Sequence, residues 1–444
     1  MKILTFPGGI HPQYVKEISI REPLREAPLP DRVTIPLSQH IGAPNQPLVK
    51  KGDHVEEGQL LGKSESFISS PVHSPIYGTV SDVKKTVHPT LSIPVLSVFI
   101  ERDKEKAPKE YTESSGEHLT PQDIIERVKN AGVVGMGGAA FPTHVKLDVP
   151  EGKKIETLII NGAECEPYLT CDHSLMTRST HEILKGVALI AKVLKPKEIF
   201  IAIEDNKKAA LFAFEKAIKK EKLPELSNLE LILLETKYPQ GGEKQLIKAI
   251  AKREVPPEKL PLDIGFLVQN VGTAKAIYDA VCLDKPLTER VITISGDCMH
   301  RPGNYVVKLG TTIKDIADRY GLEFFRAPKK IIVGGPMMGF AQHDPDVPIV
   351  KGTTGILFLS EHDAKEFEEE KCIRCAKCVD VCPVNLSPTE IIKNVQKENW
   401  DSVEQFYIVD CIECGACAYA CPARIPLVQY IKEGKFILQR RRKK

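Results

Sequence analysis

Eight of the chain's twelve cysteines fall in two copies of one pattern near the C-terminus. The first is Cys372-x2-Cys375-x2-Cys378-x3-Cys382, followed by Pro383, and the second is Cys411-x2-Cys414-x2-Cys417-x3-Cys421, followed by Pro422. A 4Fe-4S cubane needs four thiolates on a small tetrahedral frame. Three closely spaced cysteines hold three irons, and in a duplicated motif the distant cysteine of each copy completes the other cluster. The spacing therefore predicts one cluster on Cys372, Cys375, Cys378 and Cys421, and a second on Cys382, Cys411, Cys414 and Cys417. The two segments must fold back on one another, and two clusters held that close pass electrons singly. A disulfide framework does not suit eight cysteines within about fifty residues of a long chain that lacks a secretory signal. Zinc knuckles pair two C-x2-C steps and leave the third cysteine and the C-x3-C-P unexplained.

The rest of the composition sets limits. A chain of 444 residues predicts three or four domains. With 61 basic and 59 acidic residues the net charge is +2, so nothing draws the chain as a whole toward nucleic acid. Glu361 to Glu370 is an acidic run, and Arg440 to Lys444 is a basic end that reads as a solvated tail. No apolar run approaches the roughly 18–20 residues that span a bilayer, and the N-terminus lacks a signal-peptide core. Thiolates kept for iron–sulfur ligation imply a reducing compartment. A soluble or peripheral cytosolic protein is the expectation.

The expected fold class is multidomain α/β. Residues 1–110 read as β-rich, with turns at Gly52-Asp53, Gly58, Gly62 and Gly78. This stretch resembles the lipoyl/biotinyl-carrier type of β-sandwich. Such carriers present a modifiable lysine at a hairpin tip, whereas here the tip is Glu65-Ser66-Phe67-Ile68-Ser69-Ser70. Residues 111–285 read as a Rossmann-like α/β layer. Its strands are expected at Thr157–Ile160, Glu198–Ile203 and Leu229–Leu234, and its helices near 180–194 and 206–220. Thr120, Pro121 and Asp123 form a helix start. Residues 286–345 suit a β-grasp module with a helix at 311–320 and a strand at Lys330–Val333. Residues 346–444 form the helical double-cluster ferredoxin-like domain. Cys165, Cys171, Cys282 and Cys298 read as buried thiols, His11, His40 and His73 as structural, and Trp400 as packing between the cluster motifs.

A second constellation lies upstream. Gly135, Gly137 and Gly138 sit in the loop GMGGAAFPT before Lys146, where backbone N–H groups approach a phosphate or a flat ring without Cβ interference. The strand ending at Ile160 runs into Asn161-Gly162-Ala163-Glu164-Cys165-Glu166-Pro167. Ligands bind beyond the C-terminal ends of strands in such sheets. Tyr238-Pro239-Gln240-Gly241-Gly242-Glu243 then opens a helix at its glycine pair.

These segments resemble the flavin-binding subunit of respiratory complex I. The resemblance implies that Gly135, Gly137, Gly138, Lys146, Asn161, Glu164 and the Asn270–Thr273 turn hold FMN, and that Phe141, Glu166 and Glu243 face NADH. Departures include Met136 for arginine, Ala163 for aspartate and Lys244 for the second glutamate of the GEE loop. The N-terminal segments Phe6–Pro12 and Ile35–Pro44, the Gly334–Gly339 loop and the order of domains resemble the RnfC family of the Rnf ion-translocating electron transport complex. That implies a peripheral subunit on the cytoplasmic side of the inner membrane. It would pass electrons between NAD(H), FMN and two 4Fe-4S clusters, with Glu166 and Glu243 as catalytic candidates. Partner subunits would link it to ferredoxin and ion translocation. Two alternatives share the domain plan: a cobalamin reductase of the microcompartment type, and a non-catalytic iron–sulfur relay.

Overall fold

The computed structural model describes all residues except 1, 92, 115, 117, 443 and 444. Of the expected basic tail, Arg440 to Arg442 continue the last helix, Leu427–Arg442, while Lys443 and Lys444 lie outside the described residues.

A five-stranded sheet organises the middle of the chain. Its order is Ile3–Leu4, Leu229–Leu234, Glu198–Glu204, Thr157–Gly162, Phe266–Asn270, and every pairing is parallel. Strand Thr157–Gly162 is buried along its whole length, as an interior strand covered on both faces must be. Helices Thr180–Leu194 and Val271–Cys282 pack together on the sheet, with Ile183, Val187, Ile190, Ala274 and Ile277 in one core. Thr120 caps helix Pro121–Asn130 in a reciprocal capping box with Asp123, as the sequence suggests. The expected turn at Asn270 is instead a strand end and a helix start: Asn270 accepts from Gly272 N at 2.7 Å. Its short polar side chain reads as a turn in one dimension because helix caps and turns share residue chemistry.

Because all five strands are parallel, their C-terminal ends face one way. The segments after residues 4, 162, 234 and 270 therefore gather along one edge.

A six-stranded sheet runs Phe340–Gln342, Lys330–Val333, Gly355–Leu359, Glu289–Ser295, Gly303–Lys308, Leu24–Glu26. Against it packs a sandwich of four strands (Arg32–Pro36, Val95–Arg102, Gly78–Thr86, His54–Val55) and three (Gln46–Pro47, Leu60–Lys63, Val72–His73). Val33, Ile35, Val80 and Ile100 of the sandwich share a core with Ile292, Ile294, Val307 and Phe358 of the six-stranded sheet. The first 26 residues cross the molecule, adding Ile3–Leu4 to the edge of one sheet and Leu24–Glu26 to the edge of another.

The C-terminal module is helical. Pro388–Gln396, Trp400–Gln405 and Leu427–Arg442 bury Ile391, Val395, Val403 and Ile431 around Cys378, Cys382 and Cys417. The Arg441 guanidinium lies over Trp400.

Candidate functional site

The gathered loops form the site. Gly135 N donates to Phe141 O at 2.8 Å and closes the glycine loop, and Met136 N donates to Thr273 Oγ1 at 3.0 Å, tying it to the helix that Asn270 caps. Gly137, Gly138 and Ala139 are exposed. A Cβ at Gly137 would press on the Asn270 side chain, whereas one at Gly138 would meet nothing within 4 Å. The loop thus presents bare backbone to open space. Phe141, the expected NADH contact on this loop, is half-buried directly beyond it.

Asn161 is committed on both ends of its amide. Its Nδ2 donates to Gly241 O at 2.9 Å and its Oδ1 accepts from Ala163 N at 3.0 Å. It locks the carboxylate loop to the loop before helix Glu243–Ala251. Lys146 Nζ reaches Glu243 Oε1 at 2.9 Å and Val268 O at 3.2 Å, so two of the expected site residues form an ion pair.

Glu164 is buried, with Oε1 accepting from Asp172 N at 2.8 Å. Its Oε2 accepts no N–H or O–H among the described residues. Asp172 accepts from Asn270 Nδ2 at 2.7 Å. Burial, and then the negative charge of Glu164, push the Asp172 carboxyl above its ordinary range. An acid pair with an orphaned oxygen, beside a glycine loop open to solvent, suits a ligand rich in hydroxyl donors such as a ribityl chain.

Glu166 points elsewhere. Its two oxygens accept from Met337 N at 3.1 Å and Met338 N at 3.0 Å, in the Gly334–Gly339 loop. Burial raises its pKa to about 7 against the opposing pull of those two amides and of Lys16.

Three residues to which the sequence assigns no role hold this edge together. Lys16 is fully buried, and its ammonium donates to the carbonyls of Glu164 (2.7 Å), Glu166 (2.8 Å) and Leu169 (2.5 Å). Arg290 is buried and donates to the Met136 thioether and to Thr353 O, the latter at 3.2 Å. Tyr238 is buried and donates from its hydroxyl to Cys414 O at 2.6 Å. A buried lysine or tyrosine carries no local signal, because its partners lie far away in sequence.

Four of the motif cysteines, Cys382, Cys411, Cys414 and Cys417, line one cavity. Burial, and then the charges of Cys414, Cys411 and Cys382, drive the Cys417 thiol far above its ordinary pKa. Burial raises the Cys378 thiol against its hydrogen bonds with Thr389, and the charge of Cys421, of the other motif, adds a smaller push. All twelve cysteines are free of disulfides, and the four outside the motifs are buried. The two motifs differ in setting. Cys414 packs with Ile10, Cys165 and Tyr238 of the strand-end edge, and Gly9 N donates to Val381 O at 2.9 Å, next to Cys382. Residues 371–377, with Cys372 and Cys375, are exposed.

Comparison with known proteins gives the family. Family models match an RnfC barrel sandwich hybrid domain over residues 4–105, a Nuo51 FMN-binding domain over 128–279 and a 4Fe-4S dicluster domain over 371–425. The C subunit of the proton-translocating ferredoxin:NAD(+) oxidoreductase complex of Clostridium ljungdahlii is 44% identical over 96% of this chain and 93% of its own length. The C subunit of the Na(+)-translocating complex of Acetobacterium woodii is 45% identical over 99% of this chain and 98% of its own. The chain belongs to the RnfC family. The C subunit of the ion-translocating oxidoreductase complex of Vibrio cholerae is 40% identical over 92% of this chain, which spans about half (52%) of that longer protein. A chain of NAD+-reducing [NiFe]-hydrogenase in the H2-reduced state shares the fold, with a TM-score of 0.52 at 18% identity over 73% of this chain and 65% of that one. FMN and 4Fe-4S clusters are the cofactors of this RnfC family member. The Clostridium ljungdahlii and Acetobacterium woodii relatives are named as subunits of ferredoxin:NAD(+) oxidoreductase complexes. Among the described residues no helix is long and apolar enough to cross a membrane.

Proposed function

We propose that this chain exchanges electrons between NAD(H) and the other subunits of a membrane-bound ferredoxin:NAD+ oxidoreductase complex that translocates ions. It would sit as a peripheral subunit on the cytoplasmic side of the inner membrane. A hydride carries two electrons and a cluster accepts one; FMN, when bound, converts between them.

The chain's own residues have defined work in this reading. The glycine loop (Gly135, Gly137, Gly138), Asn161, Glu164, Asn270 and Thr273 hold FMN. Phe141 and the Lys146–Glu243 pair face the dinucleotide. Glu166 fixes the Gly334–Gly339 loop against this edge. Cys382, Cys411, Cys414 and Cys417 hold the inner cluster, and Cys372, Cys375, Cys378 and Cys421 the outer one, whose exposed loop faces the partner subunits. The finer architecture accords with it: a carrier-like sandwich to about residue 110, a Rossmann-like layer to about 285, a β-grasp module to about 345, and a ferredoxin-like domain beyond.

The observation that carries the reading is the contact of Tyr238 with Cys414, 2.6 Å from hydroxyl to carbonyl. It joins the nucleotide-side edge directly to a cluster loop. The test is an anaerobic titration of the chain reconstituted with FMN, iron and sulfide. NADH should bleach the flavin absorbance and then bring up reduced-cluster electron paramagnetic resonance (EPR) signals. A protein that holds both cofactors and is left oxidised by NADH would refute it.

A further inference from the structure

The sandwich tip that replaces a carrier's lysine is not idle. Its apolar side chains point outward: Phe67 is 55% exposed, Ile68 40% and, on the neighbouring turn, Ile41 49%. Exposed large apolar groups on a rigid tip ask for a partner. The tip is rigid. Ala43 N donates to Ile68 O at 3.0 Å, and Ser69 Oγ donates to Ala43 O at 3.3 Å. Gly42 fits so closely that a Cβ there would lie 2.1 Å from Ile68 O.

The tip also has a definite address. His144 Nε2 donates to Phe67 O at 3.2 Å, and the two rings meet in a T shape with centroids 6.1 Å apart. His144 lies in the short helix that directly follows Phe141 and Pro142. Ile41 N reaches Ala140 O at 3.4 Å. The sandwich tip thus forms a wall beside the exposed Gly137–Ala139 backbone, in the stretch matched to an FMN-binding domain.

We propose that Phe67 completes the dinucleotide site, stacking on the adenine of NAD(H). This rests on the reading that the chain binds NAD(H). The occupant follows from chemistry. A pinned, half-exposed aromatic ring is a platform for a flat base, and base–aromatic stacking needs no charge. The nicotinamide has to meet the flavin that the glycine loop would hold. The AMP half is what remains to reach the rim, where the tip stands. The carrier fold has thereby exchanged a swinging lysine arm for a fixed recognition edge.

The test uses the full chain loaded with FMN, with binding measured by calorimetry. Phe67→Ala should weaken binding of NADH and of ADP-ribose by roughly tenfold, the loss of one stacked base. Binding of reduced nicotinamide mononucleotide, which lacks the AMP half, should not move. Phe67→Trp should keep ADP-ribose affinity at the native level. Equal weakening of the mononucleotide, or unchanged ADP-ribose affinity in Phe67→Ala, overturns the proposal while the NAD(H) reading stands. A native chain that binds no dinucleotide overturns both. Phe67 is exposed, so truncation leaves the core intact, and matched melting curves check this.

Discussion

Tyr238 and Cys414 are 176 residues apart in sequence, and the phenol of one donates to the backbone carbonyl of the other at 2.6 Å. The tyrosine is fully buried, so no water replaces it. Around it, Gly8 and Gly9 adopt positive φ, and a Cβ on either would strike backbone: Cys382 O at 2.9 Å from Gly8, Tyr238 O at 2.7 Å from Gly9. One buried knot thus joins the N-terminal strap, the strand-end edge and the cysteines that line the cavity.

Tyr238→Phe deletes one hydroxyl and strands a buried carbonyl. The expected cost is about 1–3 kcal/mol. Differential scanning calorimetry should show it as a lower melting temperature, and cluster reduction by NADH should slow. An unchanged melt would mean that water reaches Cys414 O.

Lys16 has three carbonyl partners and, among the described residues, no carboxylate within hydrogen-bond range. Lys16→Met keeps the apolar stem and removes all three donors. Leaving buried acceptors unpaired should cost roughly 3 kcal/mol or more. FMN retention on gel filtration should fall with it, because the freed segment is the Glu164–Glu166 loop. Full retention of FMN would show that the loop holds its shape without the lysine.

Glu289 gives an acid-sensitive joint. Burial alone would raise its pKa, but Lys308, Lys285 and Lys275 outweigh burial and hold it at about 2, against an ordinary 4.5. Its unfolded form takes up a proton first as pH falls. The stabilisation is therefore complete above about pH 4.5 and is lost between there and pH 2. It amounts to something on the order of 3 kcal/mol. Glu289→Gln should flatten the stability–pH curve in that window and lower stability at pH 7. A curve of unchanged slope would show that the lysines do not act on this carboxyl.

Much of this is legible in the sequence, and the reasons differ by element. Strand Leu229–Leu234 and strand Lys330–Val333 fall where their apolar runs put them, and helix Thr180–Leu194 follows its apolar period. The cysteine motifs announce their chemistry because a cubane tolerates few spacings. The two-residue strand Ile3–Leu4 is different: it has no period to read and exists because the edge of a parallel sheet accepts it. Lys16, Lys351 and Arg290 look like surface cations in one dimension. Lys351 is fully buried, donating to Pro71 O at 2.6 Å and Gly132 O at 2.7 Å, a joint between modules that only tertiary structure creates. The loop pattern makes Glu166 an NADH contact, while the amides that receive it lie about 170 residues downstream.

The proposed crossed ligation would let mutation separate the two clusters. Cys382 follows the first triplet in sequence but shares a cavity with Cys411, Cys414 and Cys417, and Cys421, which follows the second triplet, is the cysteine left for Cys372, Cys375 and Cys378. Cys421→Ser should therefore remove the outer cluster and Cys382→Ser the inner one. In each case iron should fall from about eight to about four per chain. The EPR spectra distinguish them. NADH should still reduce the remaining cluster in Cys421→Ser, because the inner set packs with Tyr238 and Cys165. In Cys382→Ser the remaining cluster should be reduced by dithionite and only slowly by NADH. If each serine variant instead loses the cluster of its own triplet, the ligation is uncrossed and the inner and outer assignments fall with it.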